Sequence, residues 1–271
     1  MLLYEMNLTD IKIPDTWLTG AALEKKLSTV LGSNTRVDVK DGLLNVRRGP
    51  FPWDMFIKNG KLIAKFGIVE RSSPNIVVRL NNLRTLEGSP IEVDGIVDIR
   101  SDMITSLEHG PKRVTSMFVE AKNLSSLRGM PLSSSIFSVS SECLTTLTEL
   151  SGSHENLNFC SCKAVKNTNG LNDIEVDYIG LPVNLEEITE VPLAANSIGS
   201  NVTFGIAKLM LIKGLKAVNK KFPSDISGSM LKASTHVIDL LNAVIKEHDK
   251  PQDRYFRAQQ ELIDFGHGHL V

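Results

Sequence analysis

Three cysteines and one histidine are the side chains whose types and spacing best suit chemistry at a single place. Cys160 and Cys162 form a Cys-x-Cys pair in a strand-like segment, with Cys143 and His154 upstream. Because residues two apart on a strand share a face, both thiols could reach one metal ion. Structural zinc sites, however, use Cys-x-x-Cys turns, and free cysteine commonly packs in protein interiors. We therefore expect these residues to fill space, with no metal and no cofactor bound.

Two other groups of reactive side chains lack the neighbours that chemistry needs. His267 and His269 form a His-x-His pair, but no adjacent carboxylate or cysteine completes a metal site. Residues 133–135 are three serines without the glycines that flank the nucleophile in a G-x-S-x-G turn. The sequence thus predicts no catalytic residues and a protein that is not an enzyme.

The balance of charge argues against nucleic acid as a partner. The formal net charge is −1, and the basic run over 208–222 contains no arginine and a single aromatic residue. Base stacking and bidentate contacts are therefore poorly supported. No apolar run of about 18 residues exists, so no membrane-spanning helix is expected. With no basic N-terminal segment and too few cysteines for a disulfide framework, the sequence predicts a cytoplasmic protein.

A repeat of 20 or 21 residues runs through the middle of the chain and must position any functional surface. Its unit reads Leu-x-x-Leu-x-Gly-x-Pro, followed by a short alternating strand. A period this short indicates a solenoid, in which coils stack and an extended face binds other molecules. Thr168 stands where one second leucine is expected, and residues 192–199 are predicted to bulge as a loop. Successive anchors, at spacings of 21, 20, 20, 21, 20 and 24 residues, are Leu83, Ile104, Leu124, Leu144, Val165, Leu185 and Leu209.

Alternation within the repeat predicts which side chains face the core. Because side chains alternate across a strand, rows of apolar residues at a fixed period should lie inside one parallel sheet. One apolar row contains Val97, Met117, Phe137 and Leu157, and the other contains Ile99, Val119, Val139, Phe159 and Ile179. The row between them is mostly polar and is expected on the solvent face. It contains Asp98, Phe118, Ser138, Asn158 and Tyr178.

Three regions follow from these patterns. Residues 1–72 lack the repeat and are predicted to form an α/β N-terminal cap. Residues 73–215 form the solenoid, and residues 216–271 return to helical spacing as a C-terminal cap. The predicted fold class is an α/β repeat solenoid with one short parallel strand per coil. Caps are expected because the ends of such an array are bare sheet edges.

Local signals predict the elements inside both caps. Residues 17–31 carry apolar side chains at helical spacing, and Asn59 with Gly60 separates two alternating runs as in a tight hairpin. Near the C-terminus, a first amphipathic helix precedes Pro251, which suits the first turn of a second helix. Gly266 is placed to end that second helix.

Three repeats and the tail carry a resemblance to a known family. Residues 83–90, 104–111 and 124–131 read LRTLEGSP, ITSLEHGP and LSSLRGMP, and residues 257–266 read RAQQELIDFG. This combination resembles the leucine-rich-repeat-like proteins encoded by many tailed bacteriophages. The resemblance implies a curved solenoid in an infected bacterial cell, with no settled activity and no catalytic residues.

The chain departs from cellular leucine-rich repeats at the turn after each strand. Where those proteins carry an internal asparagine ladder, this sequence has Asp102, Lys122 and Glu142. Charged side chains cannot form such a ladder, because burying them unpaired is costly. We therefore expect the turn to be built differently, which leaves the curvature of the solenoid open.

The sequence favours a non-catalytic protein that binds a protein partner, from the host or the phage, through the sheet face of the solenoid. Outward aromatic rings among charged residues suit an anchor surrounded by a polar rim. The predicted contact residues are Asp98, Arg100, Phe118, Glu120 and Tyr178. The resemblance places this activity in the host-cell cytoplasm during infection, and the oligomeric state stays open.

Two alternatives remain at this stage. One is a structural component of the phage particle, in which the array serves assembly. The other is an enzyme module with its site in the N-terminal cap, where an aromatic ring and charges are available. The residues concerned are Trp53, Asp54, Glu70 and Arg71.

Overall fold

The chain forms a β-solenoid followed by two helices in a computed structural model. The structure describes residues 23, 27, 35–48, 51–70, 77–182, 184–200, 205–220 and 228–271. The strands of the described residues are β1 (Arg36–Lys40), β2 (Leu43–Arg48), β3 (Ile57–Lys58), β4 (Lys61–Leu62), β5 (Phe66–Val69), β6 (Val77–Asn81), β7 (Glu92–Arg100), β8 (Arg113–Glu120), β9 (Ser133–Ser141), β10 (Ser153–Cys162), β11 (Glu175–Gly180), β12 (Ala194–Ser200) and β13 (Ala217–Lys220). The helices are α1 (Gly228–Glu247) and α2 (Pro251–Asp264).

Parallel stacking of successive strands builds the solenoid. From β7 to β13 each strand pairs in parallel with the next. β5 pairs with the first part of β7 and β6 with its last part, while β2 stacks on β5. β1 closes this end as an antiparallel neighbour of β2. The predicted solenoid with parallel strands is therefore confirmed, and its sheet continues across residue 72, the predicted edge of the N-terminal cap.

The first predicted apolar row forms the centre of the core. Its four residues lie side by side on β7, β8, β9 and β10 in the predicted register, and all four side chains are fully buried: Val97, Met117, Phe137 and Leu157. Burying apolar surface along this row favours stacking, because a single coil cannot cover its own apolar side.

The second apolar row is continuous only as far as β9. On β10 two residues, Phe159 and Cys160, face the single residue Val139, which is the two-against-one pattern of a β-bulge. Beyond it Ile179 pairs with Leu157, 22 residues earlier, and not with Phe159 as predicted. The expected 20-residue register is wrong at this step, because the coil between the two paired residues is two residues longer than predicted: the β10 bulge adds one of them, and the other lies between the bulge and Ile179.

Residues 192–199 are not the predicted loop. Most of them belong to β12, which pairs with β11 on one side and β13 on the other, and Ile198 is fully buried between Ile179 and Val218. The coil from β12 to β13 keeps the usual length, because Ile198 pairs with Val218, 20 residues later. Before β13, Ile206–Leu211 forms a 3-10 helix. The 24-residue spacing from Leu185 to Leu209 therefore does not mark an insertion, since the strand register keeps its ordinary period.

Buried serine hydroxyls, and not asparagines, close two of the turns that follow the strands. The Ser101 hydroxyl donates to the Leu83 carbonyl at 2.5 Å, and the Ser141 hydroxyl donates to the Leu124 carbonyl at 2.6 Å. Ala121 occupies the equivalent buried position in the coil between them. The charged residues that follow each of these positions are exposed, so the departure from an asparagine ladder has a structural counterpart.

Both predicted local features that can be checked in the N-terminal region are present. Asn59 and Gly60 adopt positive φ angles of 52° and 75° between the antiparallel strands β3 and β4. Leu23 and Leu27 are helical and buried, while the rest of the predicted helix over 17–31 lies outside the described residues.

The two C-terminal helices form where the sequence predicts them, and Pro251 lies in the first turn of α2. Gly266 follows α2 with φ 79°.

The Asn242 side chain on α1 pairs with both backbone groups of Val218, accepting from its N–H at 2.8 Å and donating to its carbonyl at 3.0 Å. Asn242 thereby satisfies part of the open edge of β13, where another strand would otherwise add.

Candidate functional site

An open groove of about 440 Å³ lies on the outward face of strands β6 to β10. Four of the five predicted contact residues line it together: Asp98, Arg100, Phe118 and Glu120. Small polar side chains line its other end, namely Ser138, Ser140, Asn158 and Ser161. The sheet therefore concentrates charge and an aromatic ring at one end of the groove and hydroxyl and amide groups at the other.

The register of the strands creates this arrangement. One level across successive strands contains Arg79, Asp98, Phe118, Ser138 and Asn158. The next outward level lies two residues further along each strand, or three on β10 because of its bulge. It contains Asn81, Arg100, Glu120, Ser140 and Ser161. Since neighbouring strands lie roughly 4.8 Å apart, side chains of one level are direct neighbours.

Charges of opposite sign are paired within the groove. The Arg100 Nε donates to Asp98 Oδ1 at 3.2 Å and lies 3.9 Å from Glu120 Oε2. The hydrogen bond from Arg100 to Asp98 is the main reason that the pKa of Arg100 is raised, and the two negative charges add to it. With Arg79 beside Asp98, the lining contains two guanidinium groups and two carboxylates. This balance suits a protein surface better than a polyanion.

Phe118 is the aromatic centre of the groove. It is 39% exposed, although its position between Asp98 and Ser138 is held by hydrogen-bonded strands on both sides. Ile136 on β9 is 36% exposed and pairs with Ser116, which lies two residues before Phe118 on β8. An exposed ring and an exposed aliphatic side chain on a rigid sheet provide apolar contact area at a low entropic cost.

Tyr178 does not lie in the groove, and its predicted place in the Phe118 row is wrong. The longer coil after the β10 bulge pairs Tyr178 with Asn156 and places Gly180 beside Asn158. A Cβ placed on Gly180 would be 3.2 Å from the Tyr178 hydroxyl and 2.8 Å from Asn158 Oδ1. Tyr178 is thus half-buried over Gly180 and not presented as an isolated anchor.

Arg79 is a groove residue that the sequence reasoning missed. Its strand, β6, precedes the first leucine anchor, so the repeat motif does not include it. Val78 and Leu80 are fully buried and pair with Val97 and Ile99, which shows the same alternation one coil earlier. The alternation of Val78, Arg79 and Leu80 in the sequence was the signal that could have placed Arg79 on the outward face.

The cysteines do not form a shared site. Because of the bulge in β10, Cys162 points into the core, where its Sγ donates to the Val139 carbonyl at 3.3 Å, while Cys160 lies on the outward side near Gly180. The expectation that both thiols share a face is therefore wrong. Burial raises the pKa of the Cys162 thiol to about 12, which keeps it protonated and unreactive. Cys143 is exposed in the turn after β9.

A buried Ser134–His154 pair resembles a nucleophile and base but is arranged for packing. His154 Nε2 lies 2.9 Å from the Ser151 carbonyl, which only accepts, so this nitrogen is the donor. Nδ1 then accepts from the Ser134 hydroxyl at 2.7 Å. Both side chains are buried, and desolvation lowers the pKa of His154. The imidazole is accordingly neutral in the fold and stacks on Phe137.

The residues proposed for an enzyme site in the N-terminal cap are dispersed. Trp53 is buried among Phe51 and Phe66, Glu70 pairs with Arg47, and Arg71 lies outside the described residues. Within the described ranges, no group of three or more histidine, cysteine or acidic side chains is arranged to hold a metal ion.

Comparisons of the chain with protein-family models, curated proteins and solved structures each found no match. Of the helices in the described part of the chain, none combines the length and apolar character that crossing a bilayer requires.

Proposed function

We propose that this chain is a non-catalytic binding protein whose groove around Phe118 docks a protein partner. The observation that carries the proposal is an exposed aromatic ring held on a rigid sheet and bordered by ion-paired side chains. Interfaces commonly have an aromatic or arginine anchor inside a polar rim. The neutral balance of guanidinium and carboxylate groups supports a protein surface as the ligand.

Preorganisation supports the same proposal. Arg100 is already positioned by Asp98 and Glu120, so less side-chain freedom is lost when a partner binds. The serines and asparagine at the other end of the groove are short, and they leave space for an incoming segment. An extended loop or strand of a partner would cross several coils, because the groove runs over five strands.

The finer features of the proposal rest on the sequence. The motif of residues 83–90 and its repeats suggest a leucine-rich-repeat-like array from a tailed bacteriophage, acting in the cytoplasm of the infected host. In that setting the partner is a host or phage protein, and the chain serves as a host-interaction factor.

Affinity capture from infected-cell lysate, followed by mass spectrometry, tests the groove directly. Phe118→Ala should lower the recovery of a partner about tenfold, equivalent to about 1.4 kcal/mol, because the anchor is lost. Leu132→Ala is the matched control, since Leu132 is a 56% exposed apolar residue of the same array outside the groove. Equal loss in both variants, or unchanged capture by Phe118→Ala, would overturn the proposal.

Purified particles provide the second test. If the chain is a free intracellular factor, its amount should fall to background as particles are purified. A constant number of copies per particle would instead identify a particle component, and the groove would then serve assembly.

In the affinity-capture experiment, a Tyr178→Ala variant should recover as much partner as the unaltered chain, because Tyr178 lies outside the groove lining.

A further inference from the structure

The most exposed large apolar side chains of the C-terminal region lie on α2 and directly after it. Phe256, Ile263 and Phe265 are 65%, 55% and 56% exposed, compared with 39% for Phe118 in the groove. Exposed apolar side chains on this scale commonly mark contact surfaces. This surface is separate from the groove, because none of the three residues lines it.

Helical geometry places Phe256 and Ile263 on one stripe. They are seven residues apart, which is about two turns or roughly 10.5 Å along the axis. The buried residues Ala258 and Leu262 mark the side of α2 that packs on the protein, so the stripe faces solvent on the opposite side. Gln260, also exposed, lies between its two apolar members.

The charges beside this stripe have opposite signs at its two ends. Arg257 follows Phe256, and Asp264 follows Ile263, so these two charges share one flank of the helix. Arg257 forms an ion pair with Glu261 on the same helix, and Asp264 accepts from Gln260 Nε2 at 2.7 Å. Both charged groups remain at the surface, where they are available to a further partner.

We propose that this stripe is a self-association surface on which a second copy of the chain docks its own α2 in antiparallel orientation. That orientation places each Phe256 against Ile263 of the second copy. Two-fold symmetry then brings Arg257 near the second copy's Asp264 twice, so apolar and charged groups are both complementary. Because the stripe is small beside an interface of roughly 800 Å² per partner, the dimer is weak and forms with rising concentration.

Sedimentation velocity of the full chain tests the proposal over a series from about 1 μM to about 1 mM, a range suited to small interfaces. The weight-average mass should rise toward that of a dimer, and the double variant Phe256→Ala with Ile263→Ala should remain monomeric throughout. The variant Leu132→Ala, which removes an exposed apolar side chain of the solenoid, should behave like the unaltered chain. A monomer at every concentration, or a dimer that the double variant leaves intact, overturns the proposal.

A mixing experiment tests the antiparallel arrangement. Arg257→Glu places two acids opposite each other across the dimer, and Asp264→Arg places two bases there, so each variant alone should associate less. An equal mixture should recover association, because opposite charges then meet at both positions. Circular dichroism melting confirms that each variant is folded. A mixture no better than either variant contradicts the arrangement. Groove binding is measured separately by capture, so failure here leaves that function unaffected.

Discussion

Strands β7 to β9 and strands β10 to β12 belong to one sheet, yet they present different surfaces. At the same outward level the first group carries Asp98, Phe118 and Ser138, whereas the second carries Asn158 followed by two glycines. A regular period thus keeps the outward side chains of successive strands in a straight row. After the β10 bulge, that row ends, and Tyr178 folds over the space that Gly180 leaves.

Both regions bury polar side chains, but at different places in the coil. In the regular coils the buried hydroxyls of Ser101 and Ser141 lie in the turns after the strands, where each donates to a leucine carbonyl of the preceding coil. Thr168, fully buried where a leucine was expected, donates to the Glu190 carbonyl at 2.6 Å and accepts from its N–H at 3.0 Å. The buried serines complete turns beside an intact apolar core, whereas Thr168 occupies a core position itself, where its hydroxyl must be hydrogen-bonded.

The largest effect should come from the regular core. Phe137→Ala removes a fully buried ring between Met117 and Leu157 and should lower the free energy of unfolding by about 3 kcal/mol or more, because it leaves a cavity. Urea unfolding followed by circular dichroism measures this loss. A loss below about 1 kcal/mol would mean that neighbouring side chains move into the space, and that the regular coils are less rigidly packed than their fully buried row implies.

Thr168→Val tests the polar interior of the irregular coils. The substitution preserves shape but leaves the Glu190 backbone N–H and carbonyl without the Thr168 hydroxyl, so a loss of about 2 kcal/mol is expected. Thr145→Val is the matched control, since Thr145 is an exposed threonine of a regular turn, and it should change stability little. Equal stability of the two variants would show that the hydrogen bonds between Thr168 and Glu190 do not stabilise this coil.

Acid should weaken the fold through His154. Burial lowers the pKa of His154 in the folded state, so the unfolded chain takes up the proton more readily. Stability is therefore complete above the unfolded-state pKa of roughly 6.5 and declines as the pH falls through that value. Urea unfolding between about pH 8 and pH 5 measures the decline, which His154→Gln should make shallower. An identical pH profile in the two proteins would show that His154 is not the group responsible.

The smallest effect should come from the outward row. Ser138→Ala, next to Phe137, should change the free energy of unfolding by less than about 0.5 kcal/mol, because the side chain faces the groove. The same urea experiment compares it with Phe137→Ala. If the serine variant is the less stable of the two, the faces of β9 are the reverse of those described.

The period and the alternation of apolar residues determined much of the fold. They predict the parallel stack, the row from Val97 to Leu157, the hairpin at Asn59 and both C-terminal helices. They also predict the contact surface in large part: of the five predicted contact residues, four line the groove, since these four lie in coils of nearly constant length. These features depend on neighbours within one coil or at a fixed distance along the chain, and such relations can be read in the sequence.

Only the tertiary structure decided where the period breaks and what compensates for it. The bulge at Phe159 and Cys160, together with one further residue in the same coil, shifts Tyr178 out of its row. The strand at Ala194–Ser200 occupies residues predicted as a loop. Anchor spacing does not determine these features, because an extra residue can enter a strand or a turn with the same effect on spacing. Likewise, Thr168 is stable in the core only because Glu190, 22 residues away, supplies both hydrogen-bonding partners through its backbone.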